Sequence, residues 1–283
     1  MGFQMDCLLI ILIVILALAV LLTLAWLFCI APAAPRGDFS ALQAYDYAHR
    51  GLHEQDRSVP ENSLEAFRAA VEHGYGVEMD VHLSADGALV VFHDDTLDRV
   101  CGVPGRVEDK TLEELRQLRL CGTDCGIPTL AEALAVLGGR VPLILEIKRG
   151  GHNRELCEKT YALLRTYAGP VCIESFDPFI VRWFRLHAPE LLRGQLSLPP
   201  KDYGDSTTKL NAFLAGNLLT NVLCRPQFIA YQIGKKPMTV RLCERMGAVR
   251  VAWTSHAWDQ ESKNDMVIFE YYRPGVWFRA GSK

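Results

Sequence analysis

The sequence has no block of lysine or arginine: 30 basic residues face 33 acidic ones over 283 positions, for a formal net charge of −3. That balance leaves no electrostatic footprint for nucleic acid, which is excluded as an expected partner. A zinc set is also missing. Cys121 and Cys125 form the closest cysteine pair, C-x3-C, and neither a second pair nor a spaced histidine pair completes it. The nine cysteines are scattered and odd in number, which argues against a disulfide framework and for a reducing compartment. No internal repeat or low-complexity tract is present. Charge is absent between Leu8 and Ile30, a run of mainly Leu, Ile, Val and Ala with one Trp. The run exceeds the roughly 20 residues that cross a bilayer as a helix, so an uncleaved single-pass anchor is expected. A cleaved secretory signal is the rival reading, because Ala31 to Pro35 offers small residues. Against it, "MGFQMDC" carries no Lys or Arg and the apolar core is longer than the usual ~7–15 residues. Lipid modification of Cys29 is disfavoured by the bulky Phe28. Arg36 after the span and Asp6 before it place the remaining chain on the cytoplasmic side by the positive-inside rule.

Residues 1–36 are thus expected to form an anchor and linker, with Pro32, Pro35 and Gly37 marking the boundary, and 37–283 one domain. About 250 residues suffice for a single α/β barrel. Strands are expected at Tyr45–His49, Val77–Leu83, Leu89–His93, Leu143–Lys148, Val171–Phe176, Gly194–Leu198, Phe228–Gln232, Val249–Thr254 and Met266–Phe269. Between them, apolar residues at three- and four-residue spacing predict helices at Ser63–His73, Leu112–Leu118, Leu130–Leu137, Arg154–Tyr167, Pro178–His187, Thr207–Val222 and Pro237–Met246. This alternation favours a parallel sheet, and a closed (β/α)8 TIM barrel is the expected architecture. Residues of about 84–128 break the alternation and read as an insertion after the second barrel strand.

Ionisable residues interrupt several strand ends. "VEMDV" puts Glu78 and Asp80 on one face of a strand, and "LILEIK" puts Glu146 and Lys148 on one face of another. Converging carboxylates repel one another, and a divalent cation with oxygen ligands relieves them; a solvated edge strand is the alternative. An internal salt bridge would account for Glu146 and Lys148 at a desolvation cost, whereas a metal and a phosphate would satisfy both. His49 and His93 end two further runs. A lone histidine is more often structural, but two beside carboxylates and cations suit proton transfer in ester hydrolysis. Arg50 offers a planar fork for phosphate oxygens, and Gly51 allows a sharp turn after it.

With "AHRG", "PENSLEAF", "VEMDVHLSADGALVVFHDDTLDR" and "LEIK" in this order, the chain resembles the glycerophosphodiester phosphodiesterase family, and more distantly the phosphatidylinositol-specific phospholipase C barrels. The resemblance is strong over Tyr47 to Lys148 and looser beyond, where "ESFDPFIVRWFRLHAPE" and "VAWT" carry it. It implies a (β/α)8 barrel that hydrolyses glycerophosphodiesters to glycerol 3-phosphate and an alcohol with a divalent cation, Mg2+ or Ca2+. His49 and His93 match the family's acid/base pair, with His49 as base by analogy with the phospholipase C relatives. Glu78, Asp80 and Glu146 match the metal ligands, and Glu61 matches an acidic residue near the metal, as ligand or as outer partner. Arg50 and Lys148 match phosphate contacts, and Trp253 a pocket aromatic on the glycerol side. Ser63 stands where Thr is more usual; either hydroxyl can cap a helix. The C-terminal end departs from the family pattern, with His256 where Asn is common and a different last strand. Two rivals remain: a membrane-associated lysophospholipase D whose lysophospholipid substrates keep one acyl chain, and an inactive barrel serving as a membrane-bound binding protein. The sequence implies no oligomeric state.

Overall fold

The computed structural model describes residues 2–34, 39–260 and 262–275. Nine strands follow in chain order: β1 (Tyr47–Ala48), β2 (Gly76–Leu83), β3 (Leu89–Val91), β4 (Leu143–Ile147), β5 (Val171–Ser175), β6 (Leu192–Ser197), β7 (Phe228–Gln232), β8 (Val249–Ser255) and β9 (Met266–Phe269). All but β3 are parallel and close on themselves, because β1 pairs with β2 on one side and with β9 on the other. The closed eight-stranded parallel barrel is that of a TIM barrel, with β3 added antiparallel to β2.

Strand alternation sorts the side chains. Val77, Met79 and Val81 of β2, with Leu143, Leu145 and Ile147 of β4, pack outward on the surrounding helices. Tyr47, Ile144, Cys172, Phe228 and Met266 meet inside the barrel near the strand starts. The side chain at 194 must be hydrogen, since a Cβ there would lie 1.9 Å from the Phe228 ring. Packed apolar residues therefore fill the lower interior, leaving polar side chains to the C-terminal mouth.

Helix boundaries follow their caps. Ser63 accepts a hydrogen bond from the Ala66 amide and starts the helix Leu64–Glu72. Thr129 and Glu132 form a capping box on Leu130–Leu137. Two elements differ most from the sequence pattern. β1 has two residues rather than five, because Arg50 (φ 54°) and Gly51 (φ 81°) turn the chain out of the sheet. The apolar stretch expected as one helix over Thr207–Val222 is broken into Lys209–Gly216 and Asn221–Cys224. Between them Leu218 takes φ 57° and is buried beside Ile229 and Tyr231 of β7, so burial of one side chain overrides helical continuity.

From Ser84 to Pro128 the chain builds a lobe on β2, with Val90, Phe92, Leu97, Val107, Leu115 and Leu120 as its own apolar cluster. At the other end of the chain, the helix Gly2–Ile30 includes 24 residues, Cys7–Ile30, of mean hydropathy 3.5. It is long and apolar enough to cross a membrane. Its last residue, Ile30, is buried against the barrel.

Candidate active site

Register across the barrel brings acidic residues from three strands into one layer: Asp80 pairs with Glu146, and Glu146 with Glu174. Glu78 lies two residues before Asp80 on the same inward face. Glu78, Asp80 and Glu146 each offer a carboxylate oxygen within 4.8 Å of the others, and all three are buried. Burial and the neighbouring carboxylates push Glu78 well above the usual carboxylate range. Burial, Glu146 and Asp80 do the same to Glu174, whose Oε2 has no hydrogen-bond partner. Burial acts on Asp80 in the same direction but is outweighed by Lys148, His93 and Arg50, which hold it well below its ordinary value. Lys148 Nζ stands 3.0 Å from Asp80 Oδ1 and 2.9 Å from Glu146 Oε1. A compact, buried, all-oxygen set with excess negative charge fits a hard divalent cation.

At the end of β1, the left-handed turn at Arg50 aims its amide at Glu78 Oε2, 2.9 Å away. A Cβ at Gly51 would lie 2.8 Å from that of Ala66, so the turn can press against the helix only with glycine there. The His49 ring lies between two carboxylates, with Nε2 4.0 Å from Glu78 Oε2 and Nδ1 3.5 Å from Glu270 Oε1. Burial, then the Arg50 charge, lower its pKa to about 4 despite Glu270. At neutral pH the ring is therefore uncharged and able to accept a proton.

The segment between Gly51 and the first helix returns to the mouth. Arg50 Nη1 donates to Glu61 Oε1 at 2.7 Å, and Arg99 donates to both Glu61 oxygens, each at 2.7 Å. Burial would raise Glu61, but the Arg99 and Arg50 contacts prevail and lower it to about 2. Glu61 thus stands outside the cluster, as a partner of arginines. Its neighbour Asn62, at φ 54°, reaches in instead and donates Nδ2 to Asp80 Oδ2 at 2.8 Å. Arg99 also holds Asp94 (2.6 Å), which accepts from His93 Nδ1 at 2.6 Å. That pairing engages His93 through Nδ1, on the side of the ring away from Nε2.

His93, Glu146 and Lys148 line a cavity of about 1180 Å3 that continues past Phe176 and Tyr203 to Leu214 and Leu223. Trp253 is half-buried, with Nε1 bonded to Ala230 O at 3.2 Å and its ring edge-on to the cavity-lining Phe176, centroids 6.0 Å apart.

Two members of the mouth are given no role by the sequence. Glu174 interrupts "VCIES" as Glu146 interrupts "LILEIK", a signal of the same kind. Glu270 follows Met266 and Ile268 at period two, which places it inward just beyond β9. It accepts from His53 Nε2 at 3.1 Å and His256 Nε2 at 3.0 Å. The unusual His256 thus belongs to the shell around His49.

The chain matches the Glycerophosphoryl diester phosphodiesterase family over residues 49–272. A glycerophosphodiester phosphodiesterase of Caldanaerobacter subterraneus is 38% identical over 53% of this chain and 65% of its own length. Glycerophosphodiester phosphodiesterase 1 of Bos taurus is 27% identical over 83% of this chain and 80% of its own. Among solved structures, an Oleispira antarctica phosphodiesterase in complex with the product sn-glycerol-3-phosphate superposes with a TM-score of 0.65 at 26% identity, covering 80% of this chain and 93% of that one.

Proposed function

Because this chain belongs to the glycerophosphoryl diester phosphodiesterase family, we propose that it hydrolyses glycerophosphodiesters to sn-glycerol 3-phosphate and an alcohol, with His49 and His93 as its acid/base pair. The observation that carries the reading is the buried trio Glu78, Asp80 and Glu146 at the barrel mouth. These three would hold Mg2+ or Ca2+, which when bound supplies Lewis-acid stabilisation of charge developing on the phosphoryl group. Asn62 fixes the Asp80 carboxylate. Arg50 and Lys148, engaged by carboxylates here, would turn to phosphate oxygens when substrate binds.

His49 is the better base, because burial keeps it neutral and Glu270 faces its Nδ1, leaving Nε2 to accept. It takes the proton from the attacking oxygen, either that of water or that of the glycerol 2-hydroxyl; the second route first gives a cyclic phosphate, which water then opens to sn-glycerol 3-phosphate. As the new P–O bond forms, the bond to the leaving alcohol breaks, and His93 Nε2 gives that oxygen a proton. Trp253 would pack on the glycerol. Residues 37–283 act as the catalytic domain with its insertion at about 84–128. The apolar helix remains as a single-pass anchor, a reading supported by its last turn being part of the fold: Ile30 O accepts from Asn221 Nδ2 at 3.0 Å, and Ala33 N donates to Pro226 O at 2.9 Å. Free cysteines Cys101, Cys121, Cys125, Cys157, Cys172, Cys224 and Cys243 suit a cytoplasmic domain.

A second reading, a lysophospholipase D, is favoured by the apolar continuation of the cavity towards Leu214 and Leu223. The deciding experiment is a cation-dependent assay of choline release from glycerophosphocholine and from lysophosphatidylcholine. Turnover of the first supports the first reading, and turnover of the second, with or without the first, supports the other. No release from either with Mg2+ or Ca2+ would favour an inactive binding protein.

A further inference from the structure

We propose that the outer faces of the helices Pro178–His187 and Lys209–Gly216, with the turn Asn221–Cys224, form a bilayer-contacting rim through which one acyl chain of a membrane lipid enters the cavity. The proposal rests on the second, lysophospholipase D reading of the site and on the anchor reading of the apolar helix.

The cavity changes character along its length. His93, Glu146 and Lys148 line one end; Phe179, Leu198, Leu214 and Leu223 line the other, with Asp202, Thr207, Asn211 and Thr220 among them. Its volume exceeds the roughly 300–1,000 Å3 of pockets that enclose drug-sized ligands. A phosphodiester head at the charged end would leave the apolar end to a hydrocarbon tail.

The outside of this end is apolar too. Phe179 (64% exposed), Leu186 (55%), Leu210 (66%) and Phe213 (53%) project from the two helices. Leu210 and Phe213 are three apart and therefore share a face of one helix. Phe179 and Leu214 line the same cavity, so the two helices flank it, and exposed apolar side chains beside a cavity mark an interaction surface.

The occupant follows from where the apolar helix joins. Arg225 Nη1 donates to Phe28 O at 2.6 Å and to Ala31 O at 2.9 Å, with its guanidinium 4.2 Å from the Phe28 ring centroid. Asn221 holds Ile30 O, and Arg185 Nη1 donates to Leu223 O at 3.2 Å. The residues that receive the end of the apolar helix thus belong to the same turn as Leu223, which lines the cavity. A chain leaving the bilayer at Ile30 sets this turn at the membrane surface, where Arg185 and Arg225 match headgroup phosphates and the exposed aromatic and aliphatic side chains reach the acyl region.

The test uses the full chain in phosphatidylcholine nanodiscs with Mg2+ or Ca2+. Leu210→Ser with Phe213→Ser should lower kcat/KM for bilayer-borne lysophosphatidylcholine at least tenfold and change that for water-soluble glycerophosphocholine less than twofold. Equal effects on both substrates, none on either, or turnover of glycerophosphocholine with none of lysophosphatidylcholine by the parent chain would overturn the rim. Separately, Phe213→Trp should gain fluorescence that brominated lipids quench, relative to the parent chain. Absence of quenching would also overturn it, and if the parent self-associates through these residues the surface belongs to a second copy instead. Should neither substrate release choline, the phosphodiesterase reading fails while the quenching still decides the rim.

Discussion

His49 shows how a residue's neighbours determine its use. An exposed histidine titrates near 6.5, but burial and the adjacent Arg50 charge bring this one to about 4. The sign follows: a lowered value keeps the neutral, proton-accepting form down to about pH 4. The acid limb of kcat/KM is therefore expected below pH 6, and a pH–rate profile that falls with an apparent pKa of 6.5 on the base would contradict the assignment. Glu78→Ala and His49→Gln should each reduce turnover by about 10²-fold or more with the far-UV spectrum unchanged. Near-parental activity in either would remove that residue from the mechanism. Glu270 acts through His49, and Glu270→Gln should lower kcat on the order of tenfold with little change in KM, since it orients a ring and touches no substrate. These residues differ in legibility. Glu78, Asp80, Glu146, His49 and His93 stand in motifs that place charge inside apolar strands, whereas Glu270 has only its inward parity after Ile268. Glu61 shows the limit of a motif: proximity in sequence does not say whether it or Asn62 faces the cluster, because a backbone turn at φ 54° makes that choice.

Among the elements, several have the bounds that the pattern predicts. Leu130–Leu137, Pro178–His187, Phe228–Gln232 and Met266–Phe269 begin and end as expected. β1 and the stretch after β6 do not, since backbone turns at Arg50 and Leu218 serve contacts with Glu78 and with the β7 packing. The first helix couples an element to the site. Ser63 Oγ accepts from the Ala66 amide at 3.1 Å and donates to Pro60 O at 2.7 Å, bracing the turn that carries Glu61 and Asn62. Ser63→Ala should cost about 1 kcal/mol in a urea unfolding experiment and Ser63→Thr much less, because only the latter keeps the acceptor. Equal loss in both would mean that the cavity around Ser63, and not its hydroxyl, decides.

For the molecule as a whole, the cluster sets a tension between folding and function. Burial of Glu78 and Glu174 among other carboxylates favours their neutral forms, and Lys148 and Arg50 supply only part of the opposing charge. A divalent cation at 100 times its Kd should add about 2.7 kcal/mol. By differential scanning calorimetry that is a rise of roughly 5–10 °C for a domain of this size, and Asp80→Asn should remove most of it. A melting temperature indifferent to Mg2+ and Ca2+ would argue against the trio as a cation site. The sequence by itself determined the alternation of strands and helices, the apolar helix at the N-terminus and the positions where charge enters apolar strands, because periodicity and composition are local properties. Tertiary structure alone decided that Asp80, Glu146 and Glu174 share a layer, that Glu270 faces His49 from the far end of the chain, and that Leu223 joins a cavity wall to the apolar helix. Those are consequences of barrel closure and register, which bring together residues that no local pattern relates.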